Sequence, residues 1–352
     1  MIGSNPHPRA RLHFPTSRDV SGAAIPPAMP LPGGNSEPLE TVLLTGATGG
    51  IGLALAQALA RRGTRVIAGL RDRTREEWFR RSIGSADPGA EEAYAPLADP
   101  VVLQADLASL RSVRQFAADV RAITPKLHAL VLNAAVVTRA RETTVDGFER
   151  QFAVNHLAHF LLVQELLPLL RASAPSRVVV VASLAAQGER LDLDDLQAEH
   201  DSHGYAPGRA YGRSKLANVM FARGLAHRLA GTGVSVASLH PGVVRTPLLA
   251  LLRDAAAGEP TPASELLSRA RAVAGRVTRM ALRQGAPKRW WDTPDEAAAR
   301  IVHLLDLPIS EQDEGQFFVD GCVRESAPQA ADDSAVDRLW AISAQLVGTG
   351  DP

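Results

Sequence analysis

The sequence is poor in cysteine. Cys322 is the one cysteine among 352 residues, which excludes an intrachain disulfide framework and any multi-cysteine metal site. There is no charge surplus. Lys plus Arg number 38 and Asp plus Glu number 38, whereas nucleic-acid-binding chains usually carry a basic excess. No run approaches the ~18 apolar residues that span a bilayer. Lysine is scarce: Lys126, Lys215 and Lys288 stand against 35 arginines. Genomic composition accounts for that skew, and it makes a lysine in a chemically suggestive place conspicuous. Tyrosine is as rare, with Tyr94, Tyr205 and Tyr211. The remainder is ordinary, 45% hydrophobic and 22% charged. These are globular values and exclude collagen-like, coiled-coil and wholly disordered readings.

Residues 1–38 are rich in Pro, Gly and Ser and lack apolar periodicity. Such a segment buries too little surface to offset its ordering entropy, so a disordered tail is expected. It has no apolar core of the secretory type. Arg9, Arg11 and Arg18 precede the first acid, Asp19, as in a transit peptide, but its many prolines argue against the amphipathic helix such peptides use, and the expected location is the cytoplasm. From Glu40 short apolar runs alternate with helical stretches. The runs are Thr41–Leu44, Arg65–Leu70, Val101–Leu103, Ala129–Leu132, Arg177–Ala182 and Val234–Leu239. The stretches include Leu53–Arg62, Leu110–Ile123, Phe148–Arg171 and Arg209–Leu229. Continuous apolar strands are buried on both faces, and strands alternating with helices predict βαβ units in a parallel sheet. The fold class is therefore α/β, a doubly wound sheet with its ligand at the carboxyl ends of the strands.

After the first strand comes Thr45-Gly-Ala-Thr-Gly-Gly-Ile-Gly52, with a helix starting near Gly50. Glycines at 46, 50 and 52 permit a tight turn and close approach of a pyrophosphate to the helix N-terminus, where unpaired N–H groups favour anions. No Gly-Lys-Ser/Thr follows, so the loop is not a P-loop. A plain strand–helix turn is the bland alternative, and the position in a βαβ unit favours dinucleotide binding. The second strand ends at Leu70-Arg71, where an NAD site normally places an acid for the ribose. Arg71, with Arg73 nearby, suits a 2′-phosphate instead. Asp72 stands beside it as the alternative acid, and the reading favours NADP(H) over NAD(H).

Tyr211 and Lys215 are one helical turn apart on one face. A neighbouring ammonium favours phenolate, so the phenol is expected below its ordinary value of ~10 and usable as proton donor or acceptor near neutral pH. Ser183 ends the buried run Arg177-Val-Val-Val-Val-Ala-Ser183. It is placed either to hydrogen-bond a substrate oxygen or simply to cap a turn. Asn155 lies inside a helical stretch, where asparagine is locally unfavourable and wants a tertiary reason. His156 and His159 have no acid or thiol at ligand spacing, so they read as packing or surface residues and no metal is expected.

Taken together these stretches resemble the short-chain dehydrogenase/reductase family. The resemblance covers about residues 40–325, through the Thr45–Gly52 loop, Asp106-Leu107, Asn133-Ala-Ala135, Asn155, Ser183, Tyr211 with Lys215, and His240-Pro-Gly-Val-Val-Arg-Thr246. Phe152–Leu162, Tyr211–Asn218, Leu70–Asp72 and Arg338-Leu-Trp340 look most like the branch of retinol dehydrogenases, protochlorophyllide reductases and WW-domain oxidoreductases. The resemblance implies a single Rossmann domain over 39–325 with a helical substrate lid at 247–291, and a helical extension over 326–352. It implies an Asn155–Ser183–Tyr211–Lys215 tetrad in which Asn155 holds a water linking Lys215 to solvent and Lys215 also binds the nicotinamide ribose. Asp106 and Leu107 should flank the adenine, and Asn133 and Ala134 should line the ribose side. Pro241, Gly242, Val244 and Thr246 should meet the nicotinamide end. Gly46, Thr48, Gly50, Ile51, Gly52, Arg71 and Ala135 complete the cofactor-binding set. The Asn133 motif lacks a usual glycine, which should narrow its turn. The 27 residues between Ser183 and Tyr211 include Asp192-Leu-Asp-Asp-Leu196, which this branch also shows.

The implied activity is NADP(H)-dependent hydride transfer to or from a carbonyl or alcohol. A carbon–carbon double-bond reductase and a non-catalytic cofactor-binding scaffold are the alternatives. Dimers and tetramers are common in the family, so a homo-oligomer is one expectation. In Leu266–Arg283, Leu266, Ala270, Val273, Val277 and Met280 recur at helical spacing among five arginines. This basic amphipathic helix is expected to roof a bulky, mostly apolar small molecule. A surface helix and a membrane-surface contact are the other readings of the same pattern.

Overall fold

The computed structural model describes residues 40–84, 99–200, 204–246, 248, 250–252, 291–308, 310 and 313–350. The expected tail and most of the expected lid lie outside these residues. The strands are β1 (Thr41–Thr45), β2 (Arg65–Leu70), β3 (Val101–Gln104), β4 (Ala129–Leu132), β5 (Ser176–Val181), β6 (Val234–His240), β7 (Phe317–Val319) and β8 (Cys322–Arg324). They form one sheet in the order β3-β2-β1-β4-β5-β6-β7-β8. Every neighbouring pair is parallel except β7–β8, which is an antiparallel hairpin.

The helices are α1 (Gly50–Arg61), α2 (Glu76–Gly84), α3 (Leu110–Ile123), the single turn α4 (Arg150–Phe152), α5 (Ala158–Ala172), α6 (Pro207–Leu229), α7 (Pro294–Asp306) and α8 (Asp333–Val347). Alternate strand residues feed two cores. Val42, Leu44, Ala129 and Val131 pack with α1, α2 and α7. Leu43, Leu130, Val178 and Val180 pack with α3, α5, α6 and α8. That two-sided burial is the reason the strands read as unbroken apolar runs.

Against the expectation that no run approaches membrane length, the helical stretch Arg150–Ala172 contains an 18-residue window of mean hydropathy 1.3, enough by length and composition to cross a membrane, but 78% of that window is buried inside the protein. It belongs to the core. Its outer neighbour α8 lays Trp340 against Phe160 and Phe221, with ring centroids 4.8 and 5.8 Å apart. The helix is capped by Asp332 at its start and by Gly348, in the left-handed region, at its end. The chain runs β1 to β3 towards one edge and returns to β4 beside β1, so β1 and β4 flank the switch point where a doubly wound sheet opens a ligand crevice.

Candidate active site

A cavity of about 970 Å³ opens at the carboxyl ends of the parallel strands. Its wall contains Gly46, Thr48, Gly50, Ile51, Gly52, Arg71, Asp106, Leu107, Asn133, Ala134, Ala135, Ser183, Tyr211, Lys215, Pro241, Gly242, Val244 and Thr246. Every expected site residue is therefore brought together there except Asn155, which lies behind the wall, fully buried.

The glycine loop is held by its neighbours. Asn133 donates through its main-chain N–H to Thr45 Oγ1 (3.0 Å) and through Nδ2 to the carbonyl oxygens of Thr45 (2.9 Å) and Gly46 (3.3 Å). Gly46 has φ +71, and a Cβ there would fall 2.8 Å from Ala134 Cα. A Cβ on Gly52 would fall 2.0 Å from the Gly46 carbonyl oxygen. Glycine at 46 and 52 thus lets the loop close on itself and on the Asn133–Ala134 segment, and the N-terminus of α1 stands on the cavity wall beside it.

At the end of β2 the structure separates the charged residues. Asp72 is folded back, its carboxylate accepting from the N–H and hydroxyl of Thr74, and those bonds hold it below the ordinary carboxylate range. Arg73 is turned away, donating to the Val102 carbonyl and pairing with Glu76. Arg71 and Arg75 are left on the cavity wall. Arg75 donates to the Thr48 carbonyl at 3.3 Å and stacks 4.5 Å above the Trp78 ring. The sequence reading missed Arg75 because the 3₁₀ turn over Arg73–Arg75, invisible to apolar periodicity, decides which arginine faces inward.

Of the two readings the sequence left open for Ser183, the structure shows the cap, and it also sets the side chain on the cavity wall beside Tyr211. The Ser183 hydroxyl oxygen accepts from the Ala185 N–H, capping the turn Leu184–Gly188, and it is hydrogen-bonded to Tyr211. The expectation for Tyr211 itself needs correction. Its phenol is pushed up to about 12, because burial outweighs the Ser183 hydrogen bond. Burial also acts on Lys215, whose ammonium is pushed down to about 7. Lys215 Nζ donates to the Val181 carbonyl (2.8 Å) and lies 5.7 Å from the Tyr211 ring centroid. Proximity on one helical face was legible; the desolvation of both groups was not.

A pH-dependent stability follows. Lys215 is a folded-state base weaker than a solvated lysine at 10.5. The unfolded chain therefore binds more protons between about pH 7 and 10.5, and stability rises with pH across that window. Below pH 7 the cost of the buried ammonium is fully present. Lys215→Met is expected to stabilise the cofactor-free protein by a few kcal/mol at pH 6, with the gain fading towards pH 10. Denaturant melts at pH 6, 8 and 10 test this, and a variant less stable than the wild type at pH 6 contradicts it.

Asn155 sits in a π-helical turn, Ala153–Leu157, a local form often found at functional sites. Its Oδ1 accepts from the Val136 N–H (2.8 Å), and Nδ2 donates to the Val136 carbonyl (3.1 Å) and Ser214 Oγ (3.0 Å). Ser214 in turn donates to the Tyr211 carbonyl at 2.7 Å. Both amide hydrogens are spent on positioning, which supplies the tertiary reason this asparagine needed.

Other side chains at the site were given no role from the sequence. His240, on the cavity wall, accepts from the Leu184 N–H at 3.4 Å and is kept neutral by burial, pushed down to about 4. The loop after it is clamped from α7. Arg300 donates to the Pro241 carbonyl (3.0 Å) and pairs with Asp292 (2.9 Å), which accepts from the Val243 N–H (2.8 Å). Gly242, with φ +107, would carry a Cβ 2.3 Å from that Asp292 carboxylate. Much of the remaining wall is apolar, including Val136, Val154, Leu184, Val243, Leu248 and Leu252.

A family model described as short chain dehydrogenase matches residues 40–192 and 198–257. Human retinol dehydrogenase 14 is 40% identical over 319 residues, covering 88% of this chain and 86% of that protein. Human retinol dehydrogenase 13 is 37% identical over 336 residues, covering 95% and 90%. Among solved structures, a Mycobacterium paratuberculosis protein aligns with a TM-score of 0.65 at 28% identity, over 90% of this chain and 96% of its own. The NADP complex of Pseudomonas aeruginosa RhlG aligns with a TM-score of 0.56 at 26% identity, over 80% and 95%.

Proposed function

The chain belongs to the short-chain dehydrogenase family, on the side of the retinol dehydrogenases, and from that we propose an NADP(H)-dependent oxidoreductase acting on a carbonyl or alcohol of a bulky, mostly apolar substrate. The observation that carries this reading is the meeting of Ser183, Tyr211 and Lys215 on the wall of the cavity that holds the glycine cradle. The loop suits a pyrophosphate: beside Gly49, on the cavity wall, the space is open, and N–H groups at the start of a helix favour anions. A bound nicotinamide supplies or takes up hydride.

The protein's own groups supply orientation and the proton. Tyr211 keeps its proton at neutral pH and is the donor for carbonyl reduction. Ser183 orients the substrate oxygen beside the phenol. Lys215 stands behind Tyr211 and holds the nicotinamide ribose, as the family's pattern implies. Asn155 supports the relay through its main-chain carbonyl, because its side chain is committed to Val136 and Ser214. Arg71, with Arg75 beside the glycine loop, selects the 2′-phosphate. The apolar wall suits a lipophilic substrate, and Leu248 and Leu252 belong to the segment 247–291 that we assign as its lid.

The primary test is oxidation of NADPH across a panel of lipophilic aldehydes and ketones, with Tyr211→Phe as control. Turnover of no carbonyl by the wild type contradicts the reading. For cofactor choice, Arg71→Ala is expected to weaken NADPH by roughly 10- to 150-fold, the worth of a charge-assisted contact of about 1.5–3 kcal/mol, and to leave NADH nearly unchanged. Equal losses for both cofactors, read by fluorescence titration, assign Arg71 a structural role.

A further inference from the structure

His159 is the second residue of α5 and is 1% exposed. Its ring spans two supports of the site. Nδ1 lies 3.1 Å from the main-chain oxygen of Asn155, and Nε2 lies 3.0 Å from Thr45 Oγ1. A carbonyl oxygen only accepts, so Nδ1 carries the proton and bare Nε2 accepts the single hydroxyl proton of Thr45, for which the other acceptor, the Val131 carbonyl, is farther away at 3.5 Å. That hydroxyl oxygen also accepts from the N–H groups of Asn133 (3.0 Å) and Ala134 (3.1 Å). Burial, with Lys215 nearby, pushes the ring down to about 3, so one neutral tautomer persists across physiological pH.

One ring therefore joins the residue preceding the glycine loop to the π turn that bears Asn155. From Asn155 the hydrogen bonds continue to Val136 and, through Ser214, to the carbonyl of Tyr211. We propose that His159 is a positioning residue with two separable duties. Its Nε2 bond sets Thr45 and the cofactor cradle, and its Nδ1 bond sets Asn155 and the proton-transfer side. The proposal rests on the oxidoreductase reading of the same cavity.

Two half-isosteres separate the duties. His159→Asn keeps an N–H near the Nδ1 position and loses the acceptor towards Thr45. His159→Gln keeps an acceptor near the Nε2 position and loses the donor towards Asn155. His159→Asn is expected to weaken NADPH about tenfold, the scale of one lost hydrogen bond, with kcat at saturating cofactor within about threefold. His159→Gln is expected to show the reverse split. A merely structural histidine would lower both constants together, in step with Tm, or neither, and either result overturns the proposal.

Should the histidine variants not fold, Thr45→Ser against Thr45→Val tests separability from the other end. Valine also strips the acceptor from the N–H groups of Asn133 and Ala134, so kcat at saturating NADPH is read beside affinity. It is expected within about threefold of wild type, and it overturns the proposal if it falls in step with affinity. Serine is expected to retain NADPH affinity and valine to lose it, and equal affinities overturn the proposal. The binding arms need no turnover. An inactive wild type would thus undo the oxidoreductase reading while the affinity data still decide the His159–Thr45 bond.

Discussion

Tyr211→Phe is expected to lose about 10²–10⁴-fold in kcat, the usual worth of a positioned proton donor, while binding NADPH as the wild type does. The substitution removes one oxygen and nothing else. The ring is 7% exposed and packs as before, since a volume-conserving change is well tolerated. What disappears is the hydrogen bond with Ser183 and the only phenol on the cavity wall among the described residues. Steady-state kinetics on any carbonyl the wild type turns over, with a parallel cofactor titration, check this. Near-wild-type kcat would remove Tyr211 from the mechanism, and loss of cofactor affinity equal to the loss of kcat would make it a structural residue.

Gly52→Ala is expected to cost about 10²-fold in cofactor affinity, the scale of one or two lost hydrogen bonds to a charged pyrophosphate at about 1.5–3 kcal/mol each. The added methyl would lie 2.0 Å from the Gly46 carbonyl oxygen and 2.8 Å from Asn133 Nδ2. Neither is the free end of a flexible chain: Asn133 is tied to Thr45 and Gly46. The loop must therefore open where it should close on a pyrophosphate. Gly49→Ala is the informative comparison. Gly49 is extended, with φ −174, and a Cβ there meets no protein atom within 4 Å. Any loss at Gly49 reports bulk against the cofactor, and loss at Gly52 reports a broken cradle. Affinity within tenfold of wild type in Gly52→Ala would show that the loop yields.

The central strands were legible in the sequence because burial on both faces leaves no polar position to interrupt them. Three residues each were too few for β7 and β8 to stand out. The start of α7 carried a readable signal that was passed over. Thr293 and Glu296 form a capping box, with Pro294 at the first helical position. At the site, the glycine loop and the Tyr211–Lys215 pair are local patterns and were readable as such. The clamp of Asp292 and Arg300 on the loop after β6 joins residues about fifty positions apart, and no spacing rule reaches that far. The same holds for His159. Its buried place was readable from the apolar run around it, but its bond to Thr45, 114 residues away, exists only once β1 and α5 are packed. The ionisation of Tyr211 and Lys215 was misjudged for a related reason. Adjacency is written in the sequence, and the depth at which the pair lies is not.

The placement of α8 has a consequence for biosynthesis. Every group assigned to cofactor or substrate lies ahead of Asp333, yet the apolar faces of α5 and α6 that carry Phe160 and Phe221 are sealed by Trp340. While the ribosome still holds α8, the emerging domain presents an uncovered aromatic surface, the kind of surface that recruits chaperones and seeds aggregation. Synthesis of the reacting groups and completion of the fold are thus separated in time. A message interrupted shortly before the codon for Asp333 would encode the whole chemical apparatus and deliver it to the proteolytic machinery.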